Sequence, residues 1–157
     1  LVSLTVQSMT MQDLSPEELF DLFNQNQDQS FFTIQFQTPT GFRSQGEYVL
    51  FPTLRLIFQS LMMKYGRLLE NREDIEEETL DYLTSHSRIT SYRMETSYFK
   101  VHGKKIPAFK GKLTFKITGP STLKAYANML LKFGEYAGLG MKTSLGMGGI
   151  ELEERKD

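Results

Sequence analysis

Apolar and polar residues alternate in two stretches near the start of the chain. Val2, Leu4 and Val6 alternate with Ser3, Thr5 and Gln7, and Phe32, Ile34 and Phe36 alternate with Thr33, Gln35 and Gln37. A period of two is that of a half-buried strand. Between them, Ser15-Pro16-Glu17-Glu18 reads as a helix start, with Ser as N-cap and Pro at the first helical position. Leu19, Phe20, Leu22 and Phe23 give that helix its apolar face. Thr38 to Ser44 contains Pro39 and Gly41 and is expected to be a loop, and Tyr48 to Phe51 a short strand. From Pro52, the spacing of Leu54, Ile57, Phe58, Leu61, Met62 and Tyr65 predicts a helix closed by Gly66. The acidic stretch 70–85 predicts a short solvated helix. Residues 89–101 and 106–118 read as two strands joined at the tip His102-Gly103-Lys104-Lys105. A further amphipathic helix carries Leu123, Tyr126, Ala127, Leu130, Phe133 and Ala137, and Ile150 and Leu152 mark a last strand.

The order gives a β-α-β unit at each end, with a helix and a β-hairpin inserted between them. Two such halves in one antiparallel sheet make an α+β, ferredoxin-like (RRM-like) domain. Residues 2–8, 31–37, 112–118 and 147–153 are expected to be its strands. Helices 16–25 and 121–136 are expected on one face. The length of 157 residues suits one domain.

The chain has no Cys and two His. That excludes a disulfide scaffold, an iron–sulfur cluster and a cysteine nucleophile, and argues against a structural metal. No cofactor is expected. Glu76-Glu77-Glu78 is expected to be a solvated face rather than a ligand set. No apolar run approaches the roughly 18–20 residues of a membrane span.

The net charge of −1 conceals a strong asymmetry. Residues 1–85 carry 5 basic against 13 acidic residues, whereas residues 86–132 carry 10 against 1. Such a block implies a polyanion-binding face, and solubilising charge is the competing explanation. Arg88, Arg93, Lys100, Lys104, Lys105, Lys110, Lys112 and Lys116 fall on the two strands and their turn, interleaved with Tyr92, Tyr98, Phe99 and Phe109. Phe99 and Phe109 are expected in the core. Lys110, Lys112 and Lys116 share a parity opposite to Leu113, Phe115 and Ile117, so they line one face away from the core. Cations with aromatics suit phosphates and unpaired bases.

The segment from Gly138 to Gly149 is glycine-rich and contains Lys142-Thr143-Ser144. It does not fit a P-loop, because Met141 precedes Lys142, nor a dinucleotide fingerprint, because Thr143 stands where a Gly is required. Two readings remain open. Exposed backbone N–H groups beside Lys142 can hold phosphate, or Gly138, Gly140, Gly146, Gly148 and Gly149 serve a helix cap and tight packing.

The stretch from Tyr136 to Gly149 resembles the C-terminal glycine-rich signature of the CRISPR-associated protein six family. Thr38-Pro39-Thr40-Gly41-Phe42-Arg43-Ser44, then Phe51-Pro52 and Phe58-Gln59-Ser60-Leu61, look like a second block of that family. The resemblance implies an endoribonuclease of the RAMP superfamily that cuts CRISPR precursor RNA within its repeats. It implies metal-independent cleavage leaving a 2′,3′-cyclic phosphate, a cytoplasmic setting, and CRISPR repeat RNA as partner, with an effector complex as a further one. Family members carry two ferredoxin-like domains in tandem with the glycine-rich loop in the second. Residues 1–157 are therefore expected to be one domain, the C-terminal one, cut from something longer. The family's acid–base residues are usually in the first half, and no position here matches them. His102, beside Lys104 and Lys105, is a weak catalytic candidate, His86 a weaker one, and the chain alone is expected not to cut RNA. The alternatives are a non-catalytic RAMP subunit holding RNA in an effector complex and a ferredoxin-like domain binding a small ligand in the glycine-rich loop.

Overall fold

The computed structural model describes Glu17 and residues 29–153. The strand expected over 2–8 and the helix expected over 16–25 lie outside the described residues, apart from Glu17. A sheet of four strands runs in the order β4-β5-β1-β6, from β1 (Phe31–Thr40), β4 (Ser87–Val101), β5 (Lys104–Ile117) and β6 (Ile150–Leu152). Every neighbouring pair is antiparallel. Helix α1 (Leu54–Leu69) leads from β1 towards β4, and helix α3 (Ser121–Ala137) joins β5 to β6. This is the ferredoxin-like β-α-β-β-α-β arrangement.

The elements that build it differ from those expected. Within the described residues, the first β-α-β unit opens at residue 31, and α1, expected as an insertion, is its helix. The reason is α1's apolar face: Leu54, Ile57, Phe58, Leu61 and Met62 are buried in the same cluster as α3. The hairpin β4–β5 likewise belongs to the sheet itself. What is inserted is a small hairpin, β2 (Phe42–Ser44) with β3 (Glu47–Val49), and a short helix, α2 (Glu77–Ser85). Thr53 caps α1, its hydroxyl accepting from the Leu56 N–H at 3.2 Å. Gly66 does not end α1. Its carbonyl accepts from the N–H groups of Glu70 and Arg72, so the chain folds back over it.

The expected loop over 38–44 is strand at both ends. The register slips between Phe36, opposite Gly111, and Thr40, opposite Phe109. Pro39 sits inside that irregularity, where its missing N–H costs no ladder bond. β6 is shorter than expected, because Gly146 and Gly148 take φ of +105 and +77 and hold Met147 in the loop.

One face of the sheet is the core. Phe32, Ile34 and Phe36 of β1 lie there with Leu113, Phe115 and Ile117 of β5. Phe115 stacks on Phe32 at 5.6 Å and meets Phe58 of α1 edge-on at 5.8 Å. Phe109 is fully buried, stacked on Phe42 and edge-on to Phe36. A second cluster forms at the distal part of the hairpin, where Ile106 and Ala108 pack with Met147, Phe99, Val101 and Met141. The core placement expected for Phe109 therefore holds, whereas Phe99 is half-buried and packs at the edge of the second cluster.

Candidate nucleic-acid interface

The basic residues are placed by the hairpin's register. Residues paired directly across an antiparallel ladder share a face. Arg88 stands opposite Lys116, Arg93 opposite Lys112, and Lys100 opposite Lys105. Lys110 stands opposite Glu95. Arg88 and Arg93 are five residues apart and would fall on opposite faces of a regular strand. A bulge between Ile89 and Ser91 reverses the parity and brings both opposite lysines. Phe31 and Gln35 of β1 continue the two rows, opposite Lys116 and Lys112. Lys110, Lys112 and Lys116 thus alternate with the buried Leu113, Phe115 and Ile117, as the sequence predicts.

The tip is a two-residue turn with His102 at φ 50 and Gly103 at φ 77. Both positive values fit the turn type whose twist matches a hairpin. Lys104 and Lys105 are exposed beside it, and the Lys105 ammonium lies 5.7 Å from the Tyr98 ring centroid. Lys116 sits 5.4 Å over the Phe31 ring. Among the described residues Lys112 is the hairpin cation with a carboxylate partner, Glu153 of the β6 edge.

The two histidines sit in different surroundings. His102 is exposed and makes no side-chain hydrogen bond there. His86 caps α2: its ring meets Tyr82 at 4.3 Å, and its Nδ1 lies 2.8 Å from the Tyr82 carbonyl. No cluster of three or more His, Asp or Glu there could hold a metal. No described helix is long and apolar enough to cross a membrane.

The glycine-rich loop is knitted to the segment 38–41. Leu139 N–H donates to Gly148 O, Met141 N–H to Gly41 O, Gly148 N–H to Pro39 O, and Gly149 N–H to the Thr38 hydroxyl. Gly140 N–H donates to the Ser60 hydroxyl of α1 at 3.0 Å. A Cβ on Gly140 would stand 2.2 Å from Gly41 O, and one on Gly148 2.0 Å from Leu139 O. These glycines answer to close packing. The N–H groups of 138–141 and 145–149 are spent inside the protein, which leaves those of Lys142, Thr143 and Ser144 for anything else. Lys142 is exposed, with φ 55.

Lys64 of α1 was not singled out by the sequence pattern. It reaches the loop and donates to the Thr143 hydroxyl at 3.3 Å. Burial, with a smaller contribution from the nearby Arg67, lowers its pKa to about 8. Its only sequence signal is a position within the apolar run of α1.

The chain therefore combines a ferredoxin-like sheet with a basic hairpin suited to a polyanion. Residues 34–150 match the family model of the CRISPR-associated endoribonuclease Cas6. The chain is 65% identical over its whole length to a CRISPR-associated endoribonuclease Cas6 of Streptococcus thermophilus. It is 38% identical over 122 residues, 78% of the chain, to a Mycobacterium tuberculosis protein of the same description. It spans 65% of the first relative's length and 38% of the second's. Among solved structures it resembles a product complex of a Cas6 protein (TTHA0078), with a TM-score of 0.72 and 25% identity, over 87% of this chain and 56% of that one. Thermus thermophilus Cas6 (TTHB231) matches with a TM-score of 0.71 and 20% identity, over 86% and 57%. The chain belongs to the Cas6 family.

The two classes of glycine are separable. Gly140→Ala should destabilise the domain by at least about 2 kcal/mol, because the added methyl meets a backbone oxygen at positive φ. Gly146→Ala should cost only about 1 kcal/mol, since its Cβ meets nothing nearer than Phe99 at 3.8 Å and bears the φ penalty alone. Urea denaturation of both variants gives the comparison, and equal losses would contradict it.

Lys64 makes a pH-dependent prediction. Its folded pKa, about 8, lies below the ordinary 10.5, so burial of its charge weighs fully against folding below pH 8. Between those values the unfolded chain holds more protons, and stability rises with pH. Lys64→Met should raise stability at pH 7 by ~2 kcal/mol. That gain should fade as pH climbs from about 8 to 10.5. Melting temperatures of both proteins across this range test it.

Proposed function

We propose that this chain is the RNA-binding, C-terminal domain of an endoribonuclease that cleaves CRISPR precursor RNA within its repeats. The observation that carries the reading is the pairing of like charges across β4 and β5. Arg88 faces Lys116, Arg93 faces Lys112, and Lys100 faces Lys105. Like charges directly opposite each other destabilise a ladder. Solubilising charge could be scattered among partners of either sign, whereas these rows offer their field to a polyanion. Family membership supplies the chemistry of the parent protein: metal-independent attack of a 2′-hydroxyl on the adjacent phosphate, leaving a 2′,3′-cyclic phosphate.

Arg93, Lys100, Lys104, Lys105, Lys110, Lys112 and Lys116 hold the RNA backbone in this reading, with Lys142 at the loop. The phosphate cradle weighed for Gly138, Gly140, Gly146, Gly148 and Gly149 loses its support, because most N–H groups around them already have acceptors. That also weighs against a small ligand in this loop. A non-cutting RNA-holding subunit uses the same surface, and the cleavage assay below separates it from the endoribonuclease only in the parent protein.

Lys104→Glu with Lys105→Glu should weaken binding to repeat RNA and leave the melting temperature unchanged, because a turn tip buries little. Losing two phosphate contacts should flatten the log–log salt dependence by roughly 1.4 units, at about 0.7 per contact. An unchanged affinity and slope would return these lysines to the solubilising role.

The chain by itself should bind RNA and not cut it. Cleavage needs a base at the 2′-hydroxyl and an acid at the leaving oxygen, held about one phosphate apart. His102 has no such companion among the described residues. Labelled repeat RNA incubated with the chain in EDTA should yield no specific product. A specific cut lost in His102→Ala would move the active site to the hairpin tip.

A further inference from the structure

The sheet carries an open groove of about 800 Å³ whose polar lining is Gln35, Gln37, Arg93, Glu95, Lys110 and Lys112. Its cause is local. Beyond Phe36, strand β1 leaves its register with β5 and rejoins it only at Thr40. Gln37 turns instead to β6, where its N–H donates to Gly149 O and its side-chain amide to the Glu151 carboxylate. On the other side of the groove, β4 approaches β5 so closely that a Cβ on Gly111 would stand 2.1 Å from Arg93 O. At φ +133 that residue must be glycine, and no side chain fills the gap.

One row of residues crosses the four strands at this level. Arg93 faces Lys112, Lys112 faces Gln35, and Gln35 faces Glu151. The order is cation, cation, amide, carboxylate, over roughly 14 Å at about 4.8 Å per strand. Gln35 is half-buried, and its amide makes no side-chain hydrogen bond among the described residues. The amide offers one acceptor and two donors to whatever enters the groove. The volume lies within the range of small-molecule sites.

We propose that this groove is a single-nucleotide subsite, in which the carboxamide of Gln35 reads the edge of one unpaired RNA base. Arg93 and Lys112 bind the flanking phosphates, and the Arg93 guanidinium plane is available to stack on the base. The proposal rests on the RNA-binding function argued above and adds sequence discrimination to it. Phosphate contacts position a nucleic acid, whereas base-edge contacts specify its sequence. The hairpin cations supply the first, and the carboxamide of Gln35, without a side-chain partner among the described residues, is suited to the second.

The probe is a pool of short single-stranded RNAs of randomised sequence, equilibrated with the purified chain in EDTA, with bound molecules sequenced. The chain should enrich one base at one position by about tenfold, the discrimination of a good amide–base pair. Gln35→Met, of similar volume, should lose that enrichment, its affinity for the preferred sequence falling about tenfold to that for the rest of the pool, with an unchanged salt slope and melting temperature. Gln35→Glu, which only accepts, should shift the preference towards a base that presents an amino donor. An unchanged preference in both variants, or none in the parent chain, would overturn the subsite while RNA binding itself stood. Absence of any binding to the pool would overturn the RNA-binding function and the subsite with it.

Discussion

Strand β5 lies between β4 and β1, so each of its side chains must face either the core or the opposite surface of the sheet. Leu113, Phe115 and Ile117 are fully buried, and between them stand Lys112, Thr114 and Lys116. A two-residue period allows no third option. A slip of one residue would drive lysines among Phe32, Ile34 and Phe58 and expose Phe115. The register is therefore held by the cost of burying ammonium groups as firmly as by the gain from burying the aromatics. The same alternation that builds the core sets out the cations in rows. The cationic surface is a by-product of the strand's period, and its shape can change only where the ladder is interrupted.

Two interruptions do that. The bulge between Ile89 and Ser91 brings Arg88 into line with Lys116, and the slip between Phe36 and Thr40 opens the groove beside Gln35. The second interruption would leave β1 short of partners if the glycine-rich loop did not take them up. Pro39 O, Gly41 O and the Thr38 hydroxyl are bonded to Gly148, Met141 and Gly149. Met141 and Met147 of that loop also pack on Ile106 and Ala108, so the loop carries the distal hairpin as well. Its glycines allow backbone to lie on backbone, and its methionines fill the irregular space that results. In the proposed RNA-binding role the loop acts through the hairpin that it braces, with only the exposed Lys142 and its neighbours to touch a ligand directly.

How much of this the sequence discloses depends on how local each cause is. The hairpin, its tip at His102-Gly103 and the parity of Lys110, Lys112 and Lys116 follow from alternation, and the structure keeps them. The apolar faces of α1 and α3 are likewise local, and both helices are where the 3.6-residue period puts them. Which β-α-β unit these helices belong to is a matter of strand pairing, and one chain's pattern does not encode it. The alternation in 31–37 looks equally suited to closing one unit or opening another. The groove needs two distant irregularities to meet, at Gly111 and at Pro39. Lys64 needs the loop folded over α1 before its burial exists. Positions whose role comes from long-range contact were therefore the ones missed.

The described ion pairs complete the argument about charge. Arg55 bridges Glu77 and Asp81, Arg67 pairs with Glu73, and Arg72 with Glu70 and Asp74. These pairs are exposed, and such pairs contribute only about 0–1 kcal/mol each to stability. Their larger effect is on the field. The arginines between positions 55 and 72 are neutralised at the α1–α2 end, within a stretch whose surplus is acidic. On the hairpin, by contrast, Lys112 alone has a carboxylate partner among the described residues. A polyanion approaching the molecule meets repulsion from the acidic α1–α2 region and attraction from the hairpin cations, and a field of this kind orients it before contact. Beside Glu95, which faces Lys110, Glu153 is the carboxylate that a bound polyanion would have to displace on this face. Its pairing with Lys112 sits beside Gln35, so the backbone contact nearest the groove is also the one that costs an existing ion pair to make.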